Sequence, residues 1–254
     1  MGATVKPLLT TFRLLLGLSI VACAALLQTL IYLVLLPSRS ARTHSSIVIE
    51  RMIGCSCAWL SGCRLTVVGK EHMDGSRPAI YVVNHTSISD LFIVLSLIPS
   101  STVGVAKKEI VRYPFFGQVY LLSGHLRIDR SNREAAVNSM RALAKLVHRH
   151  KLSVVMSPEG TRSRDGRLQP FKKGLFHLAV QTGLPIVPML VHGAHRAWRP
   201  DSLAIEQQQV LVEILPAVET THWAQLSSDE ALEEIHAIYQ RRLPPEQRPL
   251  PKPD

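Results

Sequence analysis

Ala79-Ile80-Tyr81-Val82-Val83-Asn84-His85-Thr86-Ser87-Ile88-Ser89-Asp90 is the stretch on which the fold turns. Its first five residues are an uncharged apolar run that reads as a buried strand. A polar turn follows, and Leu91 to Ile98 is an apolar helix candidate. Strand, polar turn and helix is where α/β proteins place chemistry, because the turn lies beyond the carboxyl end of the strand. Histidine exchanges protons near neutral pH, and a carboxylate beside it can fix its tautomer and stabilise the imidazolium, so His85 and Asp90 are candidate catalytic residues. Ser87-x-x-Asp90 also fits a helix capping box, which accounts for Asp90 by helix initiation alone. The two roles coexist only if His85 stays in the turn while Asp90 enters the first helical turn. On one regular helix, residues five apart diverge by about 140°.

Outward from this stretch, apolar runs bounded by turn signals predict strands at 64–68, 79–83, 102–106, 125–128, 152–156, 186–191 and 210–215. Helices are expected to start near Ser87, Ser131, Gly174 and Ser228. The alternation predicts an α/β fold: a single domain with a largely parallel sheet flanked by helices, a size that 254 residues suit. The helix expected over 132–150 ends in Lys145, His148, Arg149, His150 and Lys151, cations that complement the negative helix end and read as structural. From Leu243 the chain is rich in proline and reads as an unpacked tail, 243–254.

The amino-terminal end has a different character. Leu8 to Leu36 is almost wholly apolar, broken by Arg13 and Gln28, and 14–36 is long enough to cross a bilayer, for which about 20 residues suffice. The run is too long for a secretory signal peptide, and Gln28-Thr29-Leu30 offers no small-residue cleavage site, so residues 1–62 read as a membrane-anchor region. Lys6 and Arg13 precede the run while Arg39 and Arg42 follow it, so the cation count does not orient it. A shorter apolar segment, 47–60, is interrupted by Glu50 and Arg51 and suits an interfacial helix. A span and a helix lying in one leaflet both remain open.

The net charge of +10 points to an anionic partner or surface. Aromatic content of 6% and the lack of a recognition motif argue against nucleic acid. Cys55-x-Cys57 lacks zinc-knuckle spacing and His192-x-x-His195 lacks a third ligand, so no metal or cofactor is expected. The cysteines read as buried thiols beside the membrane segment.

Three more motifs follow the first. Gly124-His125-Leu126-Arg127-Ile128-Asp129-Arg130 precedes a helix start at Ser131-x-x-Glu134. Ser157-Pro158-Glu159-Gly160-Thr161-Arg162-Ser163 follows the strand at 152–156. Pro170-Phe171-Lys172-Lys173-Gly174 leads a helix ending near Gly183, followed by Leu184-Pro185-Ile186-Val187-Pro188. In order and spacing this set resembles the glycerolipid acyltransferase family, most closely its bacterial 1-acylglycerol-3-phosphate acyltransferases, from about Ile80 to Gly193. The resemblance implies an acyltransferase domain (63–242) that moves an acyl group from acyl-CoA or acyl-carrier protein to the free hydroxyl of lysophosphatidic acid, making phosphatidic acid. It further implies contact with membrane lipid, a two-helix anchor in one leaflet, and an active site facing the cytosol (at the inner membrane if bacterial). His85 becomes the base and Asp90 its orienting carboxylate. Arg130 and the run Glu159, Gly160, Thr161 and Arg162 resemble the glycerol-phosphate-binding motifs, and Pro188 matches the proline of a fourth motif. Lys107, in Lys107-Lys108-Glu109 with Pro114 and Gly117, also fits the pattern, either facing a phosphate or the donor's pantetheine arm or simply solvated. Two positions depart: Arg127 stands where many relatives are aromatic or apolar, and Ser157 where phenylalanine is common.

The chemistry fits these parts. A thioester is already activated, so acyl transfer needs a base for the attacking hydroxyl, donors for the oxyanion and alignment, with no covalent acyl-enzyme. Ser157 lies outside any Gly-x-Ser-x-Gly elbow and is a poor nucleophile candidate. Guanidinium groups match phosphate oxygens, which suits Arg130 and Arg162. Thr161 could donate to phosphate, and Glu159 could accept from a hydroxyl or hold an arginine. An internal ion-pair network of Glu159, Arg130 and Arg162 is the competing reading, as is, for the whole chain, another lysolipid acceptor or a non-catalytic membrane-surface protein. The last gains nothing from a histidine–carboxylate pair.

Overall fold

A computed structural model describes residues 2–250 apart from 74, 113–115, 124, 130–131 and 200–201. Strand β2 (Ile80–Val83) lies inside a seven-stranded sheet, hydrogen-bonded in parallel to β5 (Ser153–Met156) on one side and β6 (Ile186–His192) on the other. Every residue of β2 and β5 is buried, which is why both read as continuous apolar runs without alternation. Ile80 and Val82 face α5 (Arg133–His150), α6 (Gly174–Thr182) and α8 (Ser228–Arg242) through Leu143, Leu178 and Ile235. Tyr81 and Val83 face the opposite layer, with Ile93 and Val94 of α3 (Asp90–Leu97) and Ala58.

Beyond β5 the parallel array continues through β3 (Thr102–Lys107) and β4 (Leu126–Ile128). Beyond β6, β7 (Gln208–Ile214) runs antiparallel, and β1 (Cys63–Val68) pairs with β7 in parallel. The carboxyl ends of β6, β2, β5, β3 and β4 therefore share one edge of the sheet. The register Val82↔Met156 and Val82↔Pro188 sets the turn after β2 beside the segment after β5. All seven expected strands are present, with ends displaced by two residues at most.

The helices differ more. α3 starts at Asp90, three residues after Ser87, because 84–89 are spent on the turn. α5 is capped by Asn132, whose side chain accepts from the Ala135 N–H at 2.7 Å, and Lys151 closes it in the left-handed region at φ 50°. α8 opens with a reciprocal capping box between Ser227 and Glu230. Two short helices, α4 (Phe116–Leu122) and α7 (Ala194–Ala197), span too few turns to leave a periodic signal.

The amino-terminal segments form two long helices, α1 (Gly2–Val34) and α2 (Arg39–Leu60). Leu8–Val34 is long and apolar enough to cross a membrane, and Leu8, Phe12, Leu15, Leu18, Leu26 and Leu30 are exposed on it. The short interfacial helix expected over 47–60 is corrected to 22 residues, and its charges have structural partners. Buried Glu50 lies 3.5 Å from His125 Nε2, the Arg51 guanidinium donates to the Ile98 carbonyl at 3.4 Å, and Arg42 Nε donates to the Leu122 carbonyl at 3.0 Å. These residues dock α2 onto the domain, while Val48, Met52 and Trp59 stay exposed. At Gly54 the helix backbone approaches α3 so closely that a Cβ would stand 2.3 Å from Ser96 N.

The unpacked tail expected from 243 is also corrected. Leu243 and Gln247 are buried; Gln247 Oε1 accepts from the Gly193 N–H at 2.7 Å, and its Nε2 donates to the Val191 carbonyl at 3.2 Å. The Leu168 N–H donates to the Gln247 carbonyl at 2.8 Å. The prolines shape the turn that delivers this glutamine. The four cysteines are free thiols; Cys57 and Cys63 are buried, whereas Cys23 and Cys55 are exposed, and burial pushes the Cys57 thiol up to about 11.

Candidate active site

Where the backbone of β2 ends, Asn84 extends the ladder with its side chain. Its Nδ2 donates to the Val191 carbonyl at 3.0 Å and its Oδ1 accepts from the Val191 N–H at 2.7 Å. The next residue is clamped at both ends by the segment after β5. The His85 N–H donates to Glu159 Oε1 at 2.6 Å, and the His85 carbonyl accepts from the Ser163 N–H at 2.8 Å.

The His85 side chain turns toward Asp90, with Nδ1 and Oδ2 2.9 Å apart. A carboxylate can only accept, so Nδ1 carries the proton and Nε2 presents its lone pair. The imidazole is 28% exposed and the carboxylate 2%, which leaves Nε2 accessible while its orienting partner is withdrawn from water. Asp90 Oδ2 also accepts from the Thr86 N–H at 2.7 Å and the Ser87 N–H at 2.8 Å. Helix initiation and histidine orientation thus reside in one oxygen. Ser87 is not the cap of a box: its hydroxyl accepts from the Ser89 N–H at 3.1 Å and donates to the Trp198 carbonyl at 2.7 Å.

Glu159 is 1% exposed, and each of its oxygens meets a backbone amide: Oε1 that of His85, Oε2 that of Gln169 at 2.8 Å. Burial pushes its carboxyl up to about 8, against the two amides, which lower it; the neighbouring Asp90 charge adds to the rise. Among the described residues Glu159 makes no ion pair, so the network with Arg162 does not form on its side. Gly160 takes φ 74°, and Thr161 and Arg162 beyond it are exposed on the rim. Arg130, with Gly124, Ser131 and Pro114, lies outside the described residues. Lys107 ends β3 on the same edge and is exposed, as is Arg127. His192 and His195 serve different neighbours: His192 Nε2 lies 3.5 Å from Glu213, and the His195 ring packs against Gly166.

The structure therefore brings His85, Asp90 and Glu159 together and sets Gly160, Thr161 and Arg162 beside them. Sequence reasoning missed Asn84, Ser163, Gln169 and Gln247. Asn84 had a signal, a lone amide directly after a buried strand; Ser163 and Gln169 act through backbone N–H groups, which carry none.

Residues 64–192 match the sequence profile of the family described as Acyltransferase. The chain is 43% identical over 243 residues to a 1-acyl-sn-glycerol-3-phosphate acyltransferase of Limnanthes douglasii, covering 96% of this chain and 86% of that one. It is 34% identical over 165 residues to a protein of the same name from Escherichia coli (strain K12), covering 65% of this chain and 66% of the relative. Among solved structures, the 1-acyl-sn-glycerophosphate (LPA) acyltransferase PlsC from Thermotoga maritima superimposes with a TM-score of 0.78 over 95% of both chains at 22% identity, a likeness of fold.

Proposed function

This chain belongs to the Acyltransferase family, and from that premise we propose that His85 and Asp90 perform its acyl transfer. The protein is an O-acyltransferase that converts 1-acylglycerol 3-phosphate to phosphatidic acid; the non-catalytic membrane-surface reading is set aside. The observation that carries the site assignment is the 2.9 Å contact between His85 Nδ1 and the buried Asp90 carboxylate, which leaves Nε2 as a base at the sheet edge.

The acceptor hydroxyl attacks the thioester carbonyl as His85 Nε2 removes its proton, and Asp90 stabilises the imidazolium. Collapse of the tetrahedral intermediate breaks the C–S bond, and the imidazolium returns the proton to the departing thiolate. Glu159 acts through His85, fixing the turn by its backbone amide. Exposed Thr161 and Arg162 bind the acceptor phosphate, joined by Arg130 from the matching family motif. The donor is acyl-CoA or acyl-carrier protein. The exposed apolar side of α1 enters membrane lipid, with the site on the cytosolic face.

Membranes containing the protein, incubated with either donor and a panel of lysolipids, provide the test. Phosphatidate from lysophosphatidate should dominate the products. Turnover of another lysolipid, with lysophosphatidate untouched, would overturn the acceptor assignment.

A further inference from the structure

Arg13 interrupts the apolar run of α1 and is only 9% exposed. Its guanidinium meets that of Arg64, near the start of β1, at one shared acceptor. The Gln207 amide oxygen takes Arg13 Nη2 at 3.1 Å and Arg64 Nη2 at 2.9 Å. Arg64 Nη1 also donates to the Trp59 carbonyl at 3.3 Å, and its guanidinium carbon stands 4.9 Å from the centre of the Trp59 ring. Among the described residues the arginines that pair with carboxylates are Arg77, Arg167, Arg196 and Arg242; neither Arg13 nor Arg64 does. Burying a cation is costly unless an anion and hydrogen bonds compensate it. One neutral oxygen divided between two guanidiniums leaves both charges unneutralised.

This junction lies on the catalytic edge of the sheet, apart from the catalytic groups. β1 and β7 run opposite to β6 and β2, so Arg64 and Gln207 stand at the end where β2 delivers His85. The strand order sets β1 three spacings from β2 and four from β5, about 14 and 19 Å. A phosphate held by Thr161 and Arg162, after β5, is therefore out of reach of Arg13 and Arg64. The surroundings are apolar and open: Trp59 near the end of α2, and Phe12 and Leu16 beside Arg13 on α1, are all exposed. Tryptophan suits the boundary between hydrocarbon and headgroups, and arginine can lay its stem on apolar surface there while its charge meets the polar layer.

We propose that Arg13 and Arg64 together bind the phosphate of an anionic phospholipid in the membrane surface, at a site separate from the one assigned to the acceptor phosphate. Two guanidiniums converging on one point match the oxygens of a single phosphate, and its negative charge supplies what Gln207 lacks. A lipid uses the rest of the junction as well: its acyl chains meet Phe12, Leu16 and the exposed apolar side of α1, which a free anion leaves bare. The bound headgroup fixes the amino-terminal part of α1 at the polar layer and seats the edge that carries His85 against the bilayer.

The test follows the melting of full-length protein in neutral detergent micelles doped with phosphatidylglycerol or, as the uncharged reference, phosphatidylcholine. Phosphatidylglycerol should raise the parent's Tm in a saturable way, because a ligand that binds only the folded state stabilises it. Arg64→Gln should shift the half-saturating lipid fraction upward by about tenfold or more, the value of a hydrogen-bonded charge. Arg13→Met should abolish the gain as well, yet melt no lower than the parent in phosphatidylcholine, since it removes a buried charge that no anion neutralises. Arg162→Ala should keep the full gain, which sets this site apart from the acceptor's. Lys145→Gln, which removes one exposed charge from α5, should also keep it. Equal losses in Arg64→Gln and Lys145→Gln would reduce the effect to net charge and overturn the proposal. So would a lower Tm for Arg13→Met in both micelles with the phosphatidylglycerol gain intact, which is what a purely structural arginine predicts. An Arg64-dependent gain from inorganic phosphate or free coenzyme A, with none from phosphatidylglycerol, would assign the site to a soluble anion and overturn the lipid.

Discussion

Replacing Asp90 by asparagine removes one charge and almost no volume, so it tests what that charge does. Three donors converge on Oδ2: His85 Nδ1 at 2.9 Å, Thr86 N at 2.7 Å and Ser87 N at 2.8 Å. Hydrogen bonds to charged groups stabilise by about 1.5–3 kcal/mol and neutral ones by about 0.5–1.5, so neutralising the acceptor should cost about 1 kcal/mol per bond, or about 3 in all. With about 2–4 °C of Tm per kcal/mol for a chain of this size, melting should fall by about 6–12 °C. The other oxygen, Oδ1, is buried with no hydrogen-bond partner among the described residues, so the cost falls on the three bonds to Oδ2. Catalysis should suffer separately, because the imidazolium formed as the hydroxyl loses its proton no longer faces a carboxylate. General acid–base groups contribute about 10²–10⁴-fold, and kcat is expected to fall by at least about 10². Thermal melting in detergent, paired with kcat measured well below both melting points, separates the two effects. A folded Asp90→Asn protein with kcat within about threefold of the parent would refute the orienting role, and an unchanged Tm would refute the account of the turn.

Arg162→Ala should raise KM for phosphate-bearing acceptors while phosphate-free lysolipids lose little, because a charge-assisted contact from an exposed guanidinium is removed; equal loss on both at unchanged Tm would exclude phosphate binding. Glu159 has a folded pKa of about 8 against 4.5 for the solvent-exposed carboxyl of the unfolded chain, so its contribution to stability is complete below pH 4.5 and is lost as pH rises to about 8. The size is on the order of 5 kcal/mol, and the decline should flatten in Glu159→Gln, measured by denaturant melts from pH 5 to 9; parallel pH profiles for the two proteins would contradict it. Gln247→Ala strands the Gly193 N–H and should cost about 1–3 kcal/mol, read as a lower Tm, whereas a tail without packing would lose nothing.

The sheet was legible because five of its strands are mutually parallel and its central pair, β2 and β5, is buried throughout, which demands the uncharged apolar runs seen at 79–83 and 152–156. The His85 and Asp90 pair was legible because both act through side chains within one turn. Glu159 was found, but its partners were not: it holds the backbone amides of His85 and Gln169, and any residue type supplies an amide. Gln247 illustrates a different obstacle. Proline-rich composition is the mark of an unpacked tail, yet one buried amide side chain completes the hydrogen bonding at Val191 and Gly193, more than fifty residues away. Glu50 and Arg51 seemed to break an apolar segment because their partners, His125 and the Ile98 carbonyl, belong to elements whose placement only the fold defines.

The central claim is that His85 is the base for acylation of lysophosphatidate. Its most direct test is phosphatidate formation by full-length parent and His85→Ala proteins at saturating lysophosphatidate and acyl-CoA or acyl-carrier protein, after both show the same melting behaviour. The account predicts rapid phosphatidate formation by the parent and a loss of at least about 10² in kcat for the variant. Near-parental turnover by a folded His85→Ala protein would contradict it.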